Sequence, residues 1–288
     1  MTEAVSEALA RATARLAAAG VESARHDAET LLALVVGTSR GKLGSRGHLD
    51  AESARAFDAA VARRAAREPL QHITGSAPFR YLELAVGSGV FIPRPETEVM
   101  AGEAITELKR LIVGGNAHPV AVDLCTGSGA VAISMATEAA GVGVTAVEIS
   151  AAAHEYAERN AAGHDIDVRL GDIASAVDDL AGRVHVVTAN PPYIPLIAFE
   201  TVDAEAREFD PPLALWSGDD GLDTIRVVST VAARLLVGGG LVACEHADVQ
   251  AESAAGVFGA SGEWADVRDH RDLAGRPRFV TARRVPRR

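Results

Sequence analysis

The chain has 288 residues, 48% hydrophobic and 23% charged, with a formal net charge of -11 and two cysteines, Cys125 and Cys244. That composition excludes a disordered or collagen-like chain, a disulfide framework and a cysteine-rich zinc site. It allows two domains at most and predicts a reducing, cytoplasmic setting with no bound metal. Residues 1–75 hold 10 basic and 9 acidic side chains, so the acidity belongs to the remainder; an acidic body repels phosphate backbone, and stable nucleic-acid binding is not expected.

Glu3 and Glu7 precede any apolar stretch, and the uncharged run Leu124 to Thr137 is short and broken by glycine. Neither a signal peptide nor a membrane-spanning helix is predicted. Helical spacing dominates residues 1–75. Leu9, Ala12, Leu16 and Ala19 form one stripe that stops at Gly20, and Ala28, Leu31, Leu32 and Val35 form a second that stops at Gly37. A third helix is predicted over Ala51–Arg67, with Phe57 and Val61 on one face and Pro69 beyond its end. Stripes this narrow must pack on one another, which predicts a small all-α bundle. His26 and His48 stand alone in it, and no constellation suited to chemistry is present.

From Phe79 the period changes to two, and Gly87-Ser88-Gly89 is placed to turn the chain into Val90-Phe91-Ile92. That pattern predicts a β-hairpin linker over 76–92. After Pro93 and Pro95 a helix is predicted over Glu96–Arg110, and beyond Gly114-Gly115 strand and helix patterns alternate. Strands are predicted over Val120–Leu124, Val144–Val147, Val168–Leu170, Val184–Ala189 and Leu241–Glu245, and helices over Ala130–Ala139, Ala151–Ala162 and Leu222–Leu236. Two more strands are expected around Trp264–Arg268 and Phe279–Ala282. The fold class is therefore α/β: residues 93–288 form a domain with a mostly parallel sheet and helices on both faces. The segment Arg276–Arg288 has six arginines and no acid, and is read as a solvated edge strand with a frayed end.

Chemistry-bearing residues fall where these strands end. Val120–Leu124 runs into Cys125-Thr126-Gly127-Ser128-Gly129 and then directly into a helix. Two glycines two apart let the backbone turn sharply and let a ligand approach at the carboxyl edge of a parallel sheet, although a tight strand-to-helix turn needs glycine for structural reasons too. The next strand ends in Glu148, whose carboxylate can accept both hydrogens of a ribose diol, and a further one ends in Asp172-Ile173, an acceptor and an apolar contact for an adenine edge. The lysine of a phosphate-binding loop and the third glycine of a dinucleotide site are both missing, so a nucleoside without phosphate, such as S-adenosylmethionine, fits best.

The fourth strand opens into Asn190-Pro191-Pro192-Tyr193. Consecutive prolines stiffen the loop, leaving the Asn190 side-chain oxygen and the Pro191 carbonyl as acceptors and Tyr193 as a flat face. Such a loop suits a planar NH2 group, with one hydrogen to each acceptor and the nitrogen held toward an electrophilic methyl.

With these residues the sequence resembles the class I S-adenosylmethionine-dependent methyltransferases and, within them, the bacterial PrmC/HemK family of peptide chain release factor glutamine methyltransferases. The resemblance covers most of the chain: Glu68–Gly75, Phe91–Glu98, Cys125–Gly129, Glu148, Asn190–Tyr193, Glu208–Leu215, Gly218–Leu222 and Glu245-His246. It implies a Rossmann-like seven-stranded domain preceded by a helical, substrate-docking domain over 1–75. It also implies that Cys125–Gly129 wrap the methionine part of the cofactor, that Glu148 holds its ribose and Ile173 packs near its adenine, and that Asn190–Tyr193 bind the target glutamine. Cys125, where the family often has glycine, and Ala247, where glycine is usual after Glu-His, depart from the pattern, the latter at a sheet end expected to lie away from the reacting atoms.

The expected reaction is methyl transfer from S-adenosylmethionine to the side-chain amide of the glutamine in the Gly-Gly-Gln motif of class 1 release factors. Asn190, Pro191 and Tyr193 carry the chemistry, while Glu96 and Glu98 organise the loop and do not act as bases. Three rivals remain at this point: an adenine amino methyltransferase, which the acidity opposes; a ribosomal-protein glutamine methyltransferase sharing the loop; and a non-catalytic module that kept the cofactor fold.

Overall fold

A computed structural model describes residues 3–286, which divide into two compact units, one of residues 3–76 together with Asp203–Phe209 and one of Ala77–Val202 together with residues 210–286. The first unit begins with β1 (Glu3–Ala4), paired antiparallel with β2 (His48–Leu49). Around them lie α1 (Val5–Ala18), α2 (Ala24–Val35), α3 (Ala51–Ala65) and the short α4 (Leu70–Thr74). The stripes seen in the sequence meet in one core that includes Leu9, Leu16, Leu31, Leu32, Phe57 and Val61. Asp50 caps α3 by accepting from the N–H groups of Glu52 (3.0 Å) and Ser53 (2.8 Å), which is what fixes where that helix begins. It stops before the expected Arg67, whose φ is 69°.

The unit also takes in a segment from far along the chain, and sequence patterning gives no sign of it. The short helix Ala204–Phe209 brings Glu205 to Arg64 (2.9 Å) and Arg67 (2.8 Å), while Arg64, buried, reaches Asp27 at 2.8 Å. A buried guanidinium needs such a fork of acceptors, because unpaired it would carry the full cost of leaving water.

The second unit opens with a hairpin, β3 (Ser76–Phe79) and β4 (Leu82–Ala85). Its turn is Arg80-Tyr81, earlier than the glycines suggested. Arg80 takes a φ of 52° and is held by Glu138 (2.6 and 2.7 Å) and by Glu98, whose carboxylate accepts the Arg80 N–H at 3.0 Å. Gly87 serves packing instead, since a Cβ there would collide with the Tyr156 hydroxyl, and Val90-Phe91-Ile92 is not a strand.

Beyond it come α5 (Thr97–Val113), β5 (Val120–Leu124), α6 (Ala130–Glu138), β6 (Gly143–Glu148), α7 (Ala151–Ala161), β7 (Ile166–Leu170), β8 (Val184–Ala189), β9 (Leu236–Glu245), β10 (Trp264–Arg271) and β11 (Pro277–Arg284). The sheet order is β10-β11-β9-β8-β5-β6-β7. β7, β6, β5, β8 and β9 pair in parallel, and β11 runs antiparallel to both of its neighbours. Alternation along each strand splits the core. Val122, Leu124 and Val187 face the helices Asp223–Leu235 and Ala251–Gly259, whereas Ala121, Ala146 and Val186 face α5 and α6.

The arginine-rich end is therefore not an edge strand. β11 lies inside the sheet, and its arginines are answered within the chain: Arg278 by Asp272 (3.2 Å), Arg283 by Glu107 (2.5 Å) and Arg284 by Glu263. Arg287 and Arg288 lie outside the described residues. Among the described residues no helix is long and apolar enough to cross a membrane, and no group of side chains is arranged to hold a metal.

Candidate active site

The parallel strands deliver their carboxyl ends to one edge, and all of the expected site residues stand there, at the ends of β5, β6, β7 and β8. At the end of β5 the chain turns through three residues in the left-handed region, Cys125 (φ 60°), Gly127 (φ 59°) and Gly129 (φ 84°). At Gly129 a Cβ would be crowded as well as strained, lying 3.1 Å from Ile133 Cδ1. Gly127 is different: a Cβ there would meet nothing within 4 Å, so the glycine faces open space. Cys125 adopts without being glycine a conformation that glycine takes at no steric cost. Its thiol is pushed up by burial and by the carboxylates of Glu148 and Asp123, so it stays protonated.

Thr126 and Ser128 are buried. Their side chains and carbonyls stabilise the turn: the Thr126 hydroxyl donates to Asp123 Oδ2 (2.6 Å), and Asn160 of α7 donates to the Ser128 carbonyl (2.9 Å). Asp123, buried on β5, also accepts from Thr188 on β8 (2.7 Å); burial pushes its carboxyl up to about 6 against the pull of those two hydroxyls. Glu148 accepts from the Gly127 N–H (2.8 Å) at one oxygen and from the Ser150 N–H (2.9 Å) at the other. Each oxygen keeps a second acceptor site. An open glycine beside a buried carboxylate with free acceptor capacity fits a nucleoside carrying a ribose diol.

Asp172 is exposed and ends β7 with an acceptor, though one oxygen already takes the Ala174 N–H (2.8 Å). Ile173 sits in the apolar core at 7% exposure, leaving little of its surface for a ligand.

At the end of β8, the Asn190 Nδ2 donates to Thr97 Oγ1 (3.3 Å) at the start of α5. Its Oδ1 and the Pro191 carbonyl accept nothing from any described residue. The Thr97 hydroxyl donates to Glu245 Oε2 (2.7 Å), and the Tyr193 hydroxyl donates to Oε1 of the same carboxylate (3.1 Å). Glu245 is buried at the end of β9, one place beyond Cys244, which pairs with Ala189. Burial pushes its carboxyl up to about 7, with Glu96 adding to the rise and Thr97, Arg278 and Tyr193 opposing it. Pro192 is half-buried. The loop is fixed from behind by Gln250, whose Nε2 donates to the carbonyls of Tyr193 (3.0 Å) and Asp220 (3.2 Å) and whose Oε1 accepts the Ala247 N–H (2.9 Å).

The sheet end at Glu245-His246-Ala247 is thus wired to the loop, contrary to the expectation that it lies apart. Thr97, Glu245 and Gln250 were not assigned roles from sequence. A signal for Glu245 existed, since it ends a parallel strand as Glu148 does.

A reversed strand inserted beside parallel ones, a glycine turn after the central strand and an acid ending the next define a class I S-adenosylmethionine-dependent methyltransferase. Residues 7–75 match the family described as PrmC N-terminal domain, and residues 108–202 match the methyltransferase small domain. The chain is 51% identical over 281 residues to the release factor glutamine methyltransferase of Streptomyces coelicolor, covering 96% of this chain and 97% of that protein. It is 45% identical to the protein of the same name from Mycolicibacterium smegmatis, covering 97% and 98%. The chain belongs to the release factor glutamine methyltransferase family.

A relative with another name, the 4-amino-L-phenylalanine/4-methylamino-L-phenylalanine methyltransferase of Streptomyces pristinaespiralis, is 39% identical over 91% of this chain and 89% of its own. Among solved structures, the 16S rRNA N2 G1207 methyltransferase of T. thermophilus shares the fold, with a TM-score of 0.50 and 19% identity over 73% of this chain and 49% of that one.

Proposed function

We infer that this protein transfers a methyl group from S-adenosylmethionine to the side-chain amide nitrogen of the glutamine in the Gly-Gly-Gln motif of class 1 release factors. The observation that carries the reading is the state of the Asn190 loop: Nδ2 is engaged by Thr97, and two acceptors, Oδ1 and the Pro191 carbonyl, are left for a planar NH2 group. S-adenosylmethionine, when bound, supplies an electrophilic methyl. An amide nitrogen is a poor nucleophile because its lone pair is delocalised, so the chain's contribution is orientation and field. Asn190 and Pro191 accept the two amide hydrogens and stabilise positive charge developing on nitrogen, while Tyr193 bounds the amide plane.

Cys125 to Gly129 offer backbone to the methionine part, Glu148 takes the ribose hydroxyls, and Asp172 borders the adenine, with Ile173 contributing only the small part of its surface that the core leaves uncovered. Glu98 is committed to the hairpin turn through Arg80, which supports an organising role and not that of a base. The helical unit serves the protein substrate. Among its described residues no group of side chains is arranged to hold a metal.

The 4-amino-phenylalanine enzyme is named for a substrate that also presents a planar amine, so substrate choice needs its own test. Labelled S-adenosylmethionine is offered with release factor, ribosomal protein, free 4-aminophenylalanine and DNA in separate reactions. Label confined to the Gly-Gly-Gln peptide of release factor is the expected result; label on any other acceptor and none on that peptide overturns the reading.

A further inference from the structure

The Thr97 hydroxyl carries one hydrogen, and two neighbours compete for it. At 2.7 Å from Glu245 Oε2 it makes a short bond to a carboxylate, so toward Asn190, 3.3 Å away, it has only lone pairs to offer. Whatever Asn190 turns toward Thr97 must then be its NH2, and its oxygen faces the opposite way. A protonated Glu245 reverses the arithmetic. The acid then donates its own O–H as a hydrogen bond to the Thr97 oxygen, the hydroxyl hydrogen becomes free for the Asn190 oxygen, and the amide turns over to present NH2 toward the substrate, a donor facing a donor.

We propose that Glu245 and Thr97 form a positioning relay in which the charge on Glu245 sets which face of the Asn190 amide is presented at the end of β8. This deepens the reading of Asn190 as substrate acceptor and rests on it. The relay lies wholly within the second compact unit, and its members come from α5, β8 and β9 and the loop between them. The groups that set the charge on Glu245 are few. Glu96 from the start of α5 opposes it and Arg278 from β11 favours it. Tyr193, near Arg94 and Arg278, donates its hydroxyl to it. On its own strand Cys244 is held as a neutral thiol by burial and by Glu245. His246, the next residue, turns away to Asp269 (3.0 Å). Burial that pushes the Glu245 carboxyl up to about 7 places the reversal near neutral pH.

The sign follows directly. The carboxylate is the productive form, so transfer falls as pH drops through that region and levels off above it. Tyr193→Phe, which removes a hydrogen bond to the carboxylate, moves the midpoint upward. Thr97→Val keeps the shape of the buried side chain and removes the relay.

Two readouts test the relay on the full chain. In protein labelled with nitrogen-15 asparagine, the Asn190 side-chain NH2 signal, identified by its loss in Asn190→Ala, is followed from pH 5.5 to 8.5 without substrate. It is expected to titrate with a midpoint near 7 in the parent, higher in Tyr193→Phe, and not at all in Thr97→Val. Single-turnover methylation of release factor is expected to follow the same midpoint in the parent, to fall about tenfold at pH 8 in Thr97→Val, and to recover in Thr97→Ser. An Asn190 signal that does not titrate in the parent, or that titrates unchanged in Thr97→Val, overturns the relay. A parent that shows the titration but leaves release factor unmethylated refutes the assigned substrate and upholds the relay.

Discussion

The two halves of the site are braced at different groups, backbone at one end and side chains at the other. At the cofactor end the turn is held mainly through its backbone groups: Glu148 of β6 accepts from Gly127, Asn160 of α7 donates to the Ser128 carbonyl, and Gly129 donates to Thr126 within the turn. At the substrate end, the Asn190–Tyr193 loop has its side chains and carbonyls fixed by Thr97, Glu245 and Gln250, which arrive from α5, the end of β9 and the turn beyond it. A turn gripped by its backbone keeps its shape when its own side chains change. A loop whose side chains are held by distant ones can be retuned by any of them.

The sharpest way to break this contrast is at Asn190. Asn190→Ala removes one acceptor from the place where charge develops and is expected to slow single-turnover transfer about a hundredfold, leaving the cofactor dissociation constant unchanged. Transfer at the parental rate would remove Asn190 from the substrate site. At the opposite end, Glu148→Ala is expected to weaken cofactor binding about ten- to hundredfold, because it costs the ribose contacts and also frees the Gly127 and Ser150 N–H groups. Calorimetric titration reads it directly, and an unaltered constant would mean that the carboxylate only shapes the turn.

Gln250→Leu probes the long-range bracing. It leaves the carbonyls of Tyr193 and Asp220 without their donor and should lower stability by about 1–2 kcal/mol. Kinetically, KM for the protein substrate should rise while cofactor affinity stays put. A matching loss of cofactor affinity would show that the two halves are not separately built.

The smallest expected effect concerns Cys125. Glycine recovers the cost of a left-handed residue and alanine does not, so Cys125→Gly should be more stable than Cys125→Ala by about 1 kcal/mol. Equal melting temperatures for the two variants would show that the φ of 60° carries no strain.

What the sequence determined by itself is what depends on near neighbours. The stripes of α1 to α3, the alternation along β5 and β8, the glycine turn and the placement of Glu148 and Asn190 at strand ends are set by spacing alone, because burial on one face demands a period and a tight turn demands glycine. Tertiary structure decided the rest. The hairpin turns at Arg80 and not at the glycines because Glu98 and Glu138 hold Arg80 there. The final strand lies inside the sheet because Glu107, Asp272 and Glu263 answer its arginines. Helix Ala204–Phe209 joins the first unit because a buried Arg64 needs a second carboxylate. The orientation of Asn190 belongs to the same group. It is fixed by where a single hydroxyl hydrogen goes, and that depends on a carboxylate from another strand, which no local pattern in the chain encodes.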